Sequence, residues 1–458
     1  MDYKKDESNY KLDSVGKTKY YIQEQKEQQQ EQQQLPSFRQ IFYDVPKSGS
    51  IVSFSDFHEG IVYFSSLDTN VYAVSADTGE VIWKFRTGGP VVSTPLVHND
   101  RIYFGSNDEY FYCLDLDGRL IWKKHTGDII VSSAIGIGDM IFIGNGSGYF
   151  FCFSADGKEL WKFKTGDGIM AVPCAANGLV FIGSYDKSVY ALDMNGNLRW
   201  KFTAGERTSA SLIMSEGKNA FSNTKRSWNE MPQFKDPTIY CASYDNHLYA
   251  LDINGTVLWK FNCGTSVPGG IGGENGTVYA GTINGTIFAI DSENGSEKWS
   301  FRTGGMVTAG AEIKDRKVYF TSFDQKLYCL GEEGEKLWDF LTGGPILSRP
   351  LIAGDKVFFG SFDTLFYCIN TRERTVEWTC RTGFDLQATD YAQKMSNIFV
   401  EYDRKIFKVW VPETIKGQEN ALNAAEYTTK LGLDSTFAYG GLGSYLSKGK
   451  KKDIYGRN

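Results

Sequence analysis

Asp128, Asp167 and Glu206 are spaced 39 residues apart and hold one register, with Arg207 directly after the third. Arg349 and Asp390 lie further along corresponding segments. Carboxylates and guanidinium groups converging on one mouth could bind a cation, a basic peptide or a polar ligand. As separate loop residues they would only keep loop tips solvated. Little else suggests chemistry. Of the four histidines, His58 and His98 fall at equivalent strand ends, and His125 and His247 stand apart. No two have metal-ligand spacing, and no Ser/His/Asp or Cys/His set is visible. Catalytic residues and a structural metal are therefore not expected.

A second group is apolar. Residues 214–236, MSEGKNAFSNTKRSWNEMPQFKD, carry Trp228 and Phe234 among charges. A loop this long with no period of its own is usually functional or disordered. An exposed Trp228 with Phe234 beside it would anchor a partner; the plainer expectation is that both rings tuck the loop against the rest of the chain.

The elements that must position these residues are repeats. Trp83, Trp122, Trp161 and Trp200 are 39 apart, and Trp259, Trp299, Trp338 and Trp378 resume at steps of 40, 39 and 40. Each period holds short runs of β-branched and aromatic residues, such as IVYFSS (61–66) and NVYAVS (70–75). The turn before each Trp strand recurs as Asp117-Gly118, Asp156-Gly157, Asn195-Gly196, Asn254-Gly255 and Asn294-Gly295. Such pairs supply the positive φ that tight hairpins need. Four antiparallel strands per period, with no helical stretch between periods, imply a radial array of small sheets. Ser93, Ser132, Ala171, Ala210, Gly269, Ala309, Ser348 and Ala388 share one innermost-strand position, all small, as a crowded ring centre requires. Cys113, Cys152, Cys329 and Cys368 share another with Ala73, Ala191, Ala250 and Ala289, which reads as a small buried slot.

The stretch Ala73-Val-Ser-Ala-Asp-Thr-Gly-Glu-Val-Ile-Trp83 resembles the A-x-D-x-x-T-G-x-x-x-W motif of pyrroloquinoline-quinone (PQQ) type propeller repeats, with Ser75 where that motif has Asp. Gly183-Ser-Tyr-Asp-Lys-Ser-Val-Tyr-Ala-Leu-Asp193 resembles the same family, and the likeness runs over about residues 49–411. The resemblance implies an all-β propeller of four-stranded antiparallel sheets, with eight blades the usual number. Residues 397–411 align on 356–370, and residues 39–47 align on a Trp strand. Those ends suggest a composite ninth unit in which an N-terminal strand pairs with the C-terminal unit and closes the ring.

Three segments are expected: a Gln-rich tail over 1–36, the propeller over 37–411 with its insertion at 214–236, and a C-terminal tail over 412–458. A net charge of −6 argues against a nucleic-acid surface. No 18-residue apolar run is present, so no membrane span is expected. The opening residues lack the apolar core of a secretory signal, so a cytoplasmic protein is expected. Five Asn-Gly-Ser/Thr triplets read as hairpin turns rather than glycosylation sites. The expected function is a non-catalytic scaffold that binds a protein, peptide or small polar ligand at the channel face, with no cofactor. The resemblance also implies two rivals. One is a quinoprotein-like oxidoreductase with PQQ and Ca²⁺ in the channel mouth; the other is an auxiliary subunit of a biosynthetic or carrier-protein system.

Overall fold

A computed structural model describes residues 49–208, 212–216, 220–221 and 226–383. These residues form eight antiparallel sheets, whose strands follow one another in chain order from the centre outwards. The innermost strands of blades 1 to 8 are Ser55–His58, Leu96–His98, Ile135–Ile137, Cys174–Ala176, Ile213–Glu216, Ile271–Glu274, Glu312–Lys314 and Leu351–Ala353. The outermost strands carry the repeated tryptophans, from Val81–Arg86 in blade 1 to Val376–Arg381 in blade 8. The expected eight-bladed β-propeller is what the chain forms.

Each indole reaches into the next blade. Trp83 Nε1 donates to the Leu116 carbonyl at 2.8 Å, and Trp122, Trp161, Trp200, Trp259 and Trp299 make the same bond to Ala155, Met194, Ile253, Ser292 and Glu332. The face of the ring covers the turn glycine of that blade. Gly118 has φ +81°, and a Cβ built on it would lie 2.6 Å from Trp83. Glycine is thus required twice at this register, once for backbone conformation and once for space. At the seam between blades 7 and 8, Arg374 takes the register at φ 62° while Trp338 remains buried.

The cross-strand partners of the tryptophans explain the small slot. Ala73 faces Trp83, Cys113 faces Trp122, Cys152 faces Trp161 and Cys368 faces Trp378. Only a small side chain fits opposite an indole turned into the sheet. Burial pushes the Cys113 and Cys152 thiols up to about 12, so they act as packing groups, not nucleophiles.

Ring closure differs from the expected strand exchange. Blade 8 docks directly on blade 1: Trp378 donates to the Ala76 carbonyl and covers Gly79. Residues 49–53 take the place that a continuing handover loop would fill. The Thr382 hydroxyl bonds the Gly49 carbonyl, as Thr87 bonds Gly89 within the chain. Ile51 N then donates to the Ser361 carbonyl, as Val91 N does to Ser66. The four antiparallel strands of every blade come from one continuous segment, and blade 8 docks on blade 1 with no ninth sheet among the described residues. The segments 39–47 and 397–411 lie outside the described residues, as do Ala210, Ala388 and both expected tails.

A second seam interaction pairs an acid with a tyrosine. Asp108 accepts from the Tyr112 hydroxyl at 2.6 Å and from Gly88 N, in the preceding handover loop, at 2.7 Å. Asp68, Asp186, Asp245, Asp324 and Asp363 repeat the arrangement with Tyr72, Tyr190, Tyr249, Tyr328 and Tyr367. In blades 3 and 6 the acid is replaced by Ser147 and Asn284, and the tyrosine becomes Phe151 and Phe288. Losing the carboxylate and losing the hydroxyl go together because either partner alone would be buried without its bond.

Two measurements test these seams. Gly60 has the same φ of +81° as Gly118 but open space around its Cβ position. In urea unfolding, Gly60→Ala should cost only the backbone strain, about 1 kcal/mol. Gly118→Ala should cost about 1–3 kcal/mol more, because it also displaces Trp83. Tyr112→Phe and Asp108→Asn should each destabilise by about 1.5–3 kcal/mol. The double variant, which imitates Asn284 and Phe288, should fall short of the sum by about 1 kcal/mol in a double-mutant cycle.

Candidate functional site

Part of the insertion lies on the channel side of the ring's inner strands. In blade 5 the inner strand Ile213–Glu216 is followed by a two-residue strand, Ala220–Phe221, on its channel side. The chain then crosses to blade 3, where Ser227–Trp228 pairs parallel with Ile135–Ile137, again on the channel side. Inner-edge amides otherwise left open are thereby satisfied: Gly136 N donates to the Arg226 carbonyl at 2.7 Å and Gly138 N to the Trp228 carbonyl at 2.9 Å. Beyond it, Pro232 and Phe234 are tied to Asn177 of blade 4 by three hydrogen bonds. The described parts of the insertion, here called the strap, pair with the inner strands of blades 5 and 3 and bond Asn177 of blade 4, and Arg226 reaches blades 2 and 1.

Arg226 is the reach to blade 1. Its guanidinium donates to the carbonyls of Thr94 (3.3 Å) and Pro95 (2.7 Å) and pairs with Asp56 at 3.2 Å. Burial lowers its pKa, opposed by the Asp56 charge. Beside it, His98 Nε2 lies 2.7 Å from the Gly138 carbonyl, which can only accept, so this nitrogen carries the proton. Nδ1 therefore accepts from the Ser227 hydroxyl at 2.7 Å. Burial holds this imidazole below its ordinary range, keeping it neutral. The Ser227–His98 contact has the form of a nucleophile–base pair, but its surroundings are occupied by Arg226 and Trp228.

Arg349 repeats the chemistry of Arg226 across the ring. It is 5% exposed, donates to the Ala311 carbonyl at 2.7 Å, and pairs with Glu312 at 3.0 Å. Burial raises the Glu312 carboxyl, against the pull of Arg349. Arg349, expected to face a ligand, is engaged within the ring, where it ties blade 8 to the inner strand of blade 7.

The handover-loop residues share one face of the ring, but each is engaged locally. Asp128 is 4% exposed and caps Ile129 N at 2.8 Å. Asp167 caps Gly168 N at 2.7 Å. Glu206 pairs with Lys187 at 2.7 Å, and Arg207 lies over the Tyr185 ring at 5.5 Å. Asp390 lies outside the described residues. Trp228 and Phe234, weighed as partner anchors or as rings tucking the loop, both lie tucked against the ring. Trp228 is 7% exposed and shares a core cluster with Ile135 and Ile137. Phe234 packs half-buried against the cluster between blades 4 and 5. Their rings are consumed in seating the strap.

Sequence reasoning missed Asp56, His98, Arg226 and Glu312 as a set. One signal was present. Asp56 and Glu312 stand at an inner-strand register where other blades have Leu96, Ile135, Cys174, Ile213 and Leu351. A carboxylate at an apolar register requires a buried cation. Among the described residues, no three His, Cys, Asp or Glu side chains gather as a metal site would need.

Comparison with known proteins agrees with this geometry. The profile of the family described as outer membrane protein assembly factor BamB matches residues 29–135, 117–227, 244–348 and 303–404. A curated relative of that name from Nitrosomonas eutropha is 29% identical over 101 residues, which is 22% of this chain and 24% of that protein. The alignment thus spans about a quarter of the relative's length. Among solved structures, BamB from Moraxella catarrhalis superposes with a TM-score of 0.56 at 17% identity, covering 67% of this chain and 90% of that one. Quinohemoprotein alcohol dehydrogenase from Comamonas testosteroni gives 0.57 at 15%, covering 70% and 72%. The computationally designed Ika8 protein gives 0.59 at 14%, covering 71% and 97%. These structural likenesses establish the fold alone. Because the profile matches span well over half of its length, the chain belongs to the PQQ-type repeat family described as outer membrane protein assembly factor BamB.

Proposed function

We propose that this propeller is a non-catalytic scaffold that binds a protein or peptide partner on the face carrying the handover loops. The observation that supports it most is that inner edges of blades 3 and 5 are covered by strands of the insertion, with Arg226–Asp56 and Arg349–Glu312 paired among the inner strands. We therefore place the partner contact on the rim of the ring. Arg207 and the Glu206–Lys187 pair sit on that rim, partly exposed, where charged side chains set specificity and encounter rate. The family description, an assembly factor, supports the same reading.

We assign no PQQ to the centre. A flat quinone would have to displace the buried guanidinium groups and the strap backbone paired with Ile135–Ile137. No step is therefore assigned to it. No described helix is long and apolar enough to cross a membrane. The eight cysteines, all free and buried, support a reducing compartment, and we place the protein in the cytoplasm on that proposal.

Two experiments on the full chain decide the matter. Glu206→Lys with Arg207→Glu should abolish photo-crosslinks from the rim to native partners while Tm moves by only about 2 °C, since the surface pair contributes about 1 kcal/mol at most. Retained crosslinks would remove the rim from the function. Titration of PQQ with Ca²⁺ should give no saturable fluorescence change. Saturable binding together with dye-linked alcohol oxidation would replace the scaffold by the oxidoreductase reading.

A further inference from the structure

The strap sits in the ring as a peptide sits in a receptor, and the receptor side is the more informative. Its backbone is read by Gly136 N and Gly138 N on the inner edge of blade 3, the strand-addition mode of peptide recognition. Its arginine enters a pocket of two carbonyls, Thr94 and Pro95, and one carboxylate, Asp56. Three acceptors at those positions match the fork of a guanidinium and not the single point of an ammonium. The next residue meets His98, whose tautomer is set by the Gly138 carbonyl, so that it asks for a hydroxyl donor. The third, Trp228, enters the apolar cluster of Ile135 and Ile137.

Each receptor element belongs to the ring and not to the strap. Asp56 is held by a bond from Val97 N at 3.0 Å. The His98 ring is packed so closely on Gly136 that a Cβ there would lie 2.5 Å from it. The groove is therefore prearranged, and with the strap out Asp56 would be an acid at an apolar register lacking its guanidinium. That is a demand for an arginine from any source.

We propose that the inner groove of blades 1 to 3 is a recognition site for an extended peptide of the pattern Arg-Ser/Thr-Trp, occupied in cis by residues 226–228. The occupant in trans is a partner segment of this pattern, which must displace a tethered competitor. Because tethering raises the local concentration of the cis segment to about the millimolar range, a free peptide binds well only where the cis anchors are weakened. The groove lies on the channel side of blades 1 to 3, away from Glu206 and Arg207, so the proposal does not rest on the rim reading.

The test uses the full chain carrying Arg226→Ala and Trp228→Ala, with a fluorescein-labelled peptide of sequence SNTKRSWNEMPQF. Fluorescence anisotropy should show saturable binding to this variant and at least about tenfold weaker binding to the unmodified chain. Arginine to alanine in the peptide, or Asp56→Asn added to the variant, should each weaken binding by about tenfold or more, as loss of a charged hydrogen bond implies. A folded variant that does not bind, or that binds the alanine peptide equally well, overturns the proposal. Should the double variant not fold, Arg226→Lys keeps the charge, loses the fork and carries the same comparison. Loss of partner crosslinks from the rim variant, by contrast, leaves these affinities unchanged.

Discussion

The structure depends on an indole laid over a glycine of the neighbouring blade. Seven of the eight seams use it, including the one between blades 8 and 1. The contact combines a large buried apolar area, a hydrogen bond to a turn carbonyl and a steric requirement for the absence of a Cβ. Because each blade gives the indole and the next gives the glycine, no blade completes its packing alone. The ring closes without a shared sheet for the same reason: the Trp378 seam is built like the internal ones, and only the covalent handover is missing. Residues 49–53 supply that handover from the other end of the chain.

The Asp–Tyr pairs act on the opposite rim of the same seams. One carboxylate links the turn of its own blade to the handover amide of the blade before. These acids are common in the sequence and look available for ligands, yet most of their acceptor capacity is taken by the fold. The same is true of Asp128 and Asp167, which cap their own loops. In a ring made of turns, exposed-looking acids are mostly structural because every sharp turn leaves an amide that needs an acceptor.

The centre follows different rules. Among the described residues, two of the eight inner-strand edges are covered by strands from a single insertion. Two buried arginines then stitch neighbouring inner strands through a carbonyl and a carboxylate, one from the strap and one from blade 8. Buried ion pairs of this kind add little net stability but specify geometry, since removing either partner leaves the other uncompensated. They tie the insertion and the handover segment of blade 8 to the inner strands beside them.

What the sequence determined by itself was everything carried by local repetition. The tryptophan period, the Asn-Gly and Asp-Gly turns and the small slots specify blade, strand order and ring. The reason is that each depends on residues within one period, or on the same residue one period later. Residues 39–47 and 397–411 match the repeat pattern and lie outside the described residues, while the eight described blades close on one another through Trp378 and residues 49–53. The acids at one register were legible as a set, but which were engaged was not, since a capping bond depends on backbone direction. Only the tertiary structure decided the path of the strap. It brings Arg226 to Asp56 across 170 residues and Ser227 to His98 across 129, and no periodicity relates an insertion to the blades it crosses. Trp228 shows the same limit: its composition allowed an exposed anchor or a tucked ring, and the blade it packs on, with Ile135 and Ile137, was not legible.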